Sequence, residues 1–246
     1  PGDAAGSRLI ELLSGKKKPY MPPRKKAQPS AAHIETLRAW INAGAKGPEK
    51  DVSILSTLNV PELAAAENVE KPITALAFSP TGTRAVARFT SVKVGKQTLA
   101  GHPGKINSIS FSKDGKRVVI ATGVTGLSGE AFLWDVETGK SIRRFTGEHR
   151  DILFDAELSP DGAILATAGY DRSIKVWETG SGKLLRTIEG HNGAIYDIAF
   201  SPDGSVLASA GGDASVKLWQ VSTGLRLDTL GQPTGEQFNV AFTPDS

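Results

Sequence analysis

A short turn motif that recurs along residues 72–246 constrains the fold of this chain more than any other feature. Its clearest form, Ser-Pro-Asp-Gly, follows the bulky apolar residues Leu158 and Phe200, and variants of it follow Phe78, Phe111 and Phe242. Tryptophans recur in step with the motif, 43 and 42 residues apart, at Trp134, Trp177 and Trp219. Because two independent markers share a period of about 42 residues, the sequence predicts one structural unit repeated along the chain.

Residues 191–230 show what one unit contains. In the first turn, Pro202 fixes φ at the first central position and Gly204 accepts a positive φ at the exit. Each repeat contains four strands connected by tight turns and is therefore predicted to form a small antiparallel sheet. The predicted fold class is mainly β. The predicted strands are 195–200, 206–210, 216–219 and 225–230.

The repeats resemble the WD-repeat family, whose marks are a His near the start of a repeat, an Asp in the turn before the third strand, and a Trp at the end of that strand. The resemblance implies a β-propeller of four-stranded blades. It also implies that these side chains and a hydroxyl form a buried hydrogen-bond network that braces each blade. The matching residues are His149, Thr167, Asp171 and Trp177 in one repeat, and His191, Ser209, Asp213 and Trp219 in the next.

The two earlier repeats depart from this pattern. One has His102 and Trp134, but Ser128 occupies the Asp position inside a longer segment. The first, between Gly82 and Gly101, has no Trp-Asp and is expected to lack or shorten a strand. Three His are therefore attributed to bracing instead of metal binding.

Residues 72–246 are thus predicted to form about four blades of an incomplete propeller. Since the chain begins without Met and ends inside a fifth turn motif, we expect it to be a fragment whose ring is completed by further residues. Residues 48–71 are interpreted as a linker. Within them, Ile54–Leu58 is a candidate outer strand that closes the ring.

Residues 1–47 follow a different, helical pattern. Ser7–Leu13 is predicted to be helical, and Ser30 can cap a second helix that runs to about Ala43. The segment resembles the second half of a class I c-type cytochrome, and specifically the planctomycete-type cytochrome c family. The residues that carry this resemblance are Gly6–Leu9, Met21-Pro22-Pro23 and Leu37–Ala45.

This second resemblance implies haem c as cofactor, Met21 as an axial ligand of the haem iron, Trp40 packed near the haem, and a bacterial protein exported to the periplasm or beyond. A thioether ligand raises the potential of haem iron, and two prolines hold the ligand loop stiff. The chain contains no Cys, so the Cys-x-x-Cys-His attachment site is expected upstream. The alternative is a WD-repeat scaffold without redox function, whose helical appendage binds no haem.

Charge is unevenly distributed. Residues 1–50 carry ten Lys or Arg and four Asp or Glu, a net of +6, whereas the remainder has a net of −3. The runs Lys16–Lys18 and Arg24–Lys26 flank Met21, so they could attract an acidic redox partner or simply form a solvated loop. Nucleic-acid binding is not expected, because Tyr20 is the one aromatic nearby.

The sequence gives no independent support for an enzyme. The carboxylates of the repeats are accounted for by turns or bracing, and no Gly-x-Ser-x-Gly elbow occurs. Thr179–Lys183 resembles a phosphate loop only superficially, since it joins two strands. No apolar run approaches the roughly 20 residues that span a bilayer. We therefore expect protein partners on the propeller surface, and a propeller enzyme is the least supported alternative.

Overall fold

A computed structural model of the chain describes residues 3–18, 28–45, 71–231 and 235–245. The chain divides into two compact units, Pro1–Leu58 and Asn59–Ser246. The candidate ring-closing strand Ile54–Leu58, like the rest of 46–70, lies outside the described residues.

The N-terminal unit contains two helices where the sequence predicts them. They are α1 (Arg8–Leu13) and α2 (Ala31–Asn42). The Ser30 side chain accepts a hydrogen bond from the His33 amide at 3.2 Å, which satisfies one of the free donors at the start of α2. The Asn42 side chain accepts from the Ala4 amide at 2.9 Å and so ties the end of α2 to the residues before α1. Within the described residues, no helix is long and apolar enough to cross a membrane.

The described residues of the C-terminal unit form four antiparallel four-stranded sheets, which confirms the predicted mainly β fold and partial propeller. Blade 1 comprises β1 (Ile73–Phe78), β2 (Arg84–Arg88), β3 (Ser91–Val94) and β4 (Gln97–Leu99). Blade 2 comprises β5 (Lys105–Phe111), β6 (Arg117–Val124), β7 (Ser128–Asp135) and β8 (Ser141–His149). Blade 3 comprises β9 (Leu153–Leu158), β10 (Ile164–Gly169), β11 (Ser173–Glu178) and β12 (Leu184–Glu189). Blade 4 comprises β13 (Ile195–Phe200), β14 (Val206–Gly211), β15 (Ser215–Gln220) and β16 (Arg226–Leu230).

The irregularities of the first two repeats appear in strand length. Blade 1 keeps all four strands, but β3 and β4 are only four and three residues long. In blade 2, the longer segment extends β6 and β7 to eight residues each, against six in the corresponding strands of blades 3 and 4. The first blade is therefore shortened, and the second is enlarged.

The apolar core lies between neighbouring blades. One cluster joins Ala168 and Ile174 of blade 3 to Ile198 and Leu207 of blade 4, all nearly or fully buried. Equivalent clusters lie between blades 1 and 2 and between blades 2 and 3. Each blade thus depends on its neighbours for burial, as expected for a repeat architecture.

The recurrent turn motif is held by its own side chains. In blade 4, the Ser201 hydroxyl donates to the Asp203 carboxylate at 2.6 Å and accepts from the Val206 amide at 3.0 Å. Gly204 has a φ of 73°, a conformation that side-chain-bearing residues rarely adopt. The motif therefore ends the innermost strand of the blade at a fixed residue and returns the chain into the second strand.

Candidate functional site

In blade 3, the four predicted bracing residues lie together. The His149 ring contacts the Asp171 carboxylate through Nδ1 at 2.9 Å and the Thr167 hydroxyl through Nε2 at 2.8 Å. The Trp177 indole N–H donates to the same hydroxyl at 2.9 Å. Since Asp171 can only accept, the network assigns the ring proton to Nδ1, and Thr167 then donates to Nε2. All of these buried polar groups have a partner, so the cost of burying them is offset.

Blade 4 repeats this arrangement and adds a cation. His191 contacts Asp213 at 2.9 Å and Ser209 at 2.7 Å, and the Trp219 indole donates to Ser209 at 2.8 Å. The Lys217 ammonium donates to Asp213 at 3.0 Å. Burial opposes ionisation of Asp213, but hydrogen bonds from Ser215, the Asn192 amide, His191 and Lys217 outweigh it and lower the pKa of Asp213 well below its usual range. Burial lowers the pKa of His191 and so favours the neutral ring.

Blade 2 lacks this network because it has neither the Asp nor the hydroxyl, and the missing hydroxyl was not expected from the sequence pattern. In the strand register, the hydroxyl-bearing Ser209 stands two residues after the partner of Trp219, and the equivalent position in blade 2 is Ile120. His102 Nδ1 instead contacts the Thr90 carbonyl oxygen at 3.0 Å. Its Nε2 and the Trp134 indole nitrogen are buried without a partner. In blades 3 and 4 the shared hydroxyl therefore joins the His ring to the Trp ring. Locating the strand partner of Trp134 would have shown that blade 2 lacks this hydroxyl.

Ser128 does not replace the missing Asp. It pairs with Val124 at the end of the extended hairpin. The polar brace of blade 2 is instead Glu130, which is almost fully buried and accepts hydrogen bonds from Arg144 at 2.5 and 2.8 Å.

A second set of polar contacts links neighbouring blades at their innermost strands. Asp155 Oδ2 of β9 accepts from the Ile198 amide of β13 at 3.1 Å, and Glu157 accepts from the Phe200 amide at 3.0 Å. Asp197 of β13 accepts from the Val240 amide at 2.7 Å. Every one of these pairs is 43 residues apart. The carboxyl groups therefore satisfy backbone donors on the inner edge of the next segment, with which no strand among the described residues pairs.

These three carboxyl groups also crowd one another. The Ser108 hydroxyl donates to Asp155 at 2.5 Å, and the charge of Asp155 acts on both Glu157 and Asp197. Burial, followed by the charges of Asp155 and Asp197, raises the pKa of Glu157 to about 8. Burial, followed by the charge of Asp155, raises the pKa of Asp197 to about 7. Asp155 is fully enclosed, so burial raises its pKa too.

A polar cleft opens between blades 3 and 4. Because the strands are antiparallel, the β8–β9, β10–β11 and β12–β13 connections all lie at one end of the blades, and they surround this cleft. Its volume is about 970 Å³. The side chains that line it include Glu148, Arg150, Tyr170, Arg172, Asn192 and Glu236. None of these residues belongs to the repeated pattern, so the sequence does not single them out.

The N-terminal candidates are only partly described. Met21 and Arg24–Lys26 lie outside the described residues. Trp40 lies on α2 and is 46% exposed. Lys16–Lys18 are exposed, and Lys17 forms an ion pair with Glu11 at 2.8 Å. Across the described parts of both units, no group of three or more His, Cys, Asp or Glu side chains could hold a metal ion.

Comparison with known proteins agrees with this geometry. Three segments match the family described as WD domain, G-beta repeat, at residues 94–135, 139–178 and 182–220. Each segment begins at or just before the outer strand of one blade and ends with the third strand of the next. A sequence repeat therefore belongs to two blades at once.

Individual relatives match only part of the chain. The transcriptional corepressor LEUNIG_HOMOLOG of Arabidopsis thaliana is 36% identical over 35% of this chain and 10% of its own length. WD repeat-containing protein 1 of Gallus gallus is 30% identical over 38% of the chain and 15% of its own length. A U4/U6 small nuclear ribonucleoprotein PRP4-like protein of Arabidopsis thaliana is 37% identical over 37% of this chain and 15% of its own length. The match covers far less than two thirds of any of these relatives.

The substitution Ser209→Ala tests the bracing network. It leaves His191 Nε2 and the Trp219 indole N–H buried without their common partner, so we expect the free energy of unfolding to fall by about 3 kcal/mol. Urea unfolding followed by tryptophan fluorescence measures this, with Ser222→Ala, at an exposed turn residue, as the matched control. A loss no larger than that of the control would show that the shared hydroxyl does not brace the blade.

The inner carboxyl groups predict a pH-dependent stability. Between the ordinary pKa of 4.5 and the folded value of about 8, the folded protein holds a proton on Glu157 that the unfolded chain has released. The free energy of unfolding therefore falls as pH rises through this window, by up to ~1.4 kcal/mol per pH unit for each such carboxyl. Glu157→Gln keeps an oxygen for the Phe200 amide and should flatten the slope relative to the wild type.

Urea unfolding from about pH 5 to pH 8 measures that difference in slope, and subtracting the wild-type curve cancels the contribution of the histidines. Glu137→Gln, at an exposed carboxylate, is the control. If Glu157→Gln keeps the full wild-type slope, Glu157 is not protonated in the folded protein.

Proposed function

We propose that this WD-repeat protein is an interaction scaffold whose protein partners dock at the cleft between blades 3 and 4. The observation that carries the proposal is that the repeated polar residues bond to one another, whereas the polar residues of the cleft are exposed. His149, Asp171, His191 and Asp213 are engaged in bracing, and the recurrent turn residues bond to one another. By contrast, cleft residues such as Arg150 and Asn192 are exposed and vary between blades.

The dimensions of the cleft suit a peptide or a loop of a partner protein. A volume of about 970 Å³ lies at the upper end of the range for small-molecule pockets, and its lining is charged and open instead of apolar and enclosed. One relative is by name a small nuclear ribonucleoprotein protein and another a corepressor. Those names describe proteins that work with others, and only that general role is transferred to this chain.

A bulky side chain placed in the cleft should weaken partner binding. Asn192 is exposed in the β12–β13 connection, so Asn192→Arg places a long side chain in the cleft, and we expect bound partner to fall about tenfold. The control Ser181→Arg adds the same side chain to the exposed turn at the opposite end of blade 3. Affinity capture from the native source with quantitative mass spectrometry compares the three proteins. Recovery of the same proteins in the same amounts by Asn192→Arg would contradict the proposal.

A second candidate function is electron transfer by the N-terminal segment. We propose that residues 1–47 are the second half of a c-type cytochrome domain, with Met21 as the axial haem ligand and Trp40 packed near the haem. The observation that favours it is α2, which has no buried residue although Ile34, Leu37 and Ile41 form an apolar stripe beside Trp40. Such a half-covered stripe suits a helix that packs against a further group.

The chain's own residues fit haem c incompletely. With no Cys, they cannot form the thioether bonds, so a Cys-x-x-Cys-His segment must come from outside these residues. Bound haem would supply one-electron chemistry. Lys16–Lys18 and Arg24–Lys26 would steer an acidic redox partner, and c-type haem implies an exported protein. The haem-free scaffold remains the alternative.

The gene and a haem spectrum test this second proposal. A Cys-x-x-Cys-His is expected within about one small domain, roughly 100 residues, upstream of Pro1, and its absence would refute the cytochrome. The protein that includes it should lose the absorption band of its methionine ligand in Met21→Ala and keep it in Tyr20→Phe. An unchanged Met21→Ala spectrum would reject the ligand assignment.

A further inference from the structure

Three aromatic residues occupy the same position in successive inner segments. Phe154 of β9, Tyr196 of β13 and Phe238 of the C-terminal segment (residues 235–245) are spaced 42 residues apart. The Phe154 and Tyr196 rings meet edge to face at 5.3 Å, and Tyr196 stacks on Phe238 at 5.0 Å with an interplanar angle of 24°. Tyr170, from the β10–β11 connection, contacts Phe154 at 6.3 Å. Together these four residues form a continuous aromatic arc along the inner end of the cleft.

The fold does not require this arc. The corresponding positions of blades 1 and 2 hold Thr74 and Asn107, and the Asn107 side chain simply donates to the Leu153 carbonyl oxygen at 2.7 Å. Tyr170 of the arc is largely exposed, at 56%. Aromatic surface of this kind adds little to the core, so it is available to a partner.

The exposed charge beside the arc is a carboxylate. The inner segments of blades 3 and 4 and the C-terminal segment, residues 153–158, 195–200 and 235–245, contain no Lys or Arg. They hold the carboxyl groups of Asp155, Glu157, Asp197 and Glu236, but burial raises the pKa values of the first three and so favours their uncharged forms. Of these, Glu236 is exposed and accepts a hydrogen bond from the Tyr196 hydroxyl at 3.3 Å. Exposed ring faces next to a carboxylate are the combination that attracts a cationic side chain.

We propose that Tyr170, Tyr196 and Glu236 bind an arginine side chain of the protein partner. This proposal rests on the scaffold function and names the chemistry that its cleft recognises. A guanidinium can stack on an aromatic face while its N–H groups bond a carboxylate, which an ammonium does less well. Arg150 and Arg172 line the cleft as well, so an acidic peptide is the competing occupant. The exposed Glu236 carboxylate, which contacts the arc through the Tyr196 hydroxyl, favours the cation.

NMR titration of the whole chain tests the proposal with three blocked tripeptides, Gly-Arg-Gly, Gly-Gln-Gly and Gly-Glu-Gly. The arginine peptide should shift the amide signals of Tyr170, Tyr196 and Glu236 in a saturable way, with a dissociation constant of about 1 mM, as a single anchoring side chain allows. Glutamine, which lacks the charge, should bind at least about fivefold more weakly.

Two variants and two controls make the outcome decisive. Glu236→Gln changes an exposed residue without disturbing packing and should weaken the arginine peptide about fivefold, and Tyr196→Leu should weaken it further. Glu137→Gln and Phe78→Leu alter an exposed carboxylate and an exposed ring elsewhere and should change nothing. Stronger shifts with the glutamate peptide, equal shifts with glutamine, or no saturable shift with arginine would each overturn the proposal. Partner capture that depends on Asn192 would still support the scaffold in those cases.

Discussion

The structure depends on the fact that a four-stranded blade can neither bury its own faces nor satisfy its inner edge. Leu153 and Leu165 of blade 3 are fully buried in a cluster that includes residues of blade 2. At the edge, the amides of Ile198 and Phe200 are satisfied by Asp155 and Glu157 of the preceding blade. Neighbouring blades therefore meet through both apolar packing and carboxyl groups. The latter makes their contact sensitive to pH, because these carboxyls are buried close to one another.

The bracing network and the inner carboxyl contacts link neighbouring blades at different places. The network ties the end of blade 2 to blade 3, since His149 is the last residue of β8 whereas Thr167 and Trp177 belong to β10 and β11. The carboxyl contacts join one blade to the next. The family matches, which run from the outer strand of one blade into the following blade, reflect the same interdependence. Deleting one sequence repeat would thus disturb two blades.

Sequence periodicity was sufficient to predict the blades because it reports the local rules of turns and strands. The Ser-Pro-Asp-Gly motif is held by contacts within five residues, so its geometry is encoded locally. The shared hydroxyl of Ser209 could also be foreseen, since it follows a repeated pattern. Ile120 was missed because its effect depends on the pairing of β6 with β7. Glu157 was missed because its partner is 43 residues away on another sheet.

The cleft was not predictable for the opposite reason: its residues break the repeat. Bracing uses the same residue types at equivalent positions of blades 3 and 4, whereas recognition of a partner requires a particular side chain in one blade only. Phe154 and Tyr196 stand where blades 1 and 2 have Thr74 and Asn107, so the aromatic arc is confined to one side of the unit. The fold does not require aromatic residues at this position. Because they nevertheless occur there in adjacent blades, beside an exposed carboxylate, they are better explained by a ligand than by stability. In a repeat protein, departures from the pattern at exposed positions are therefore the residues from which function should be argued.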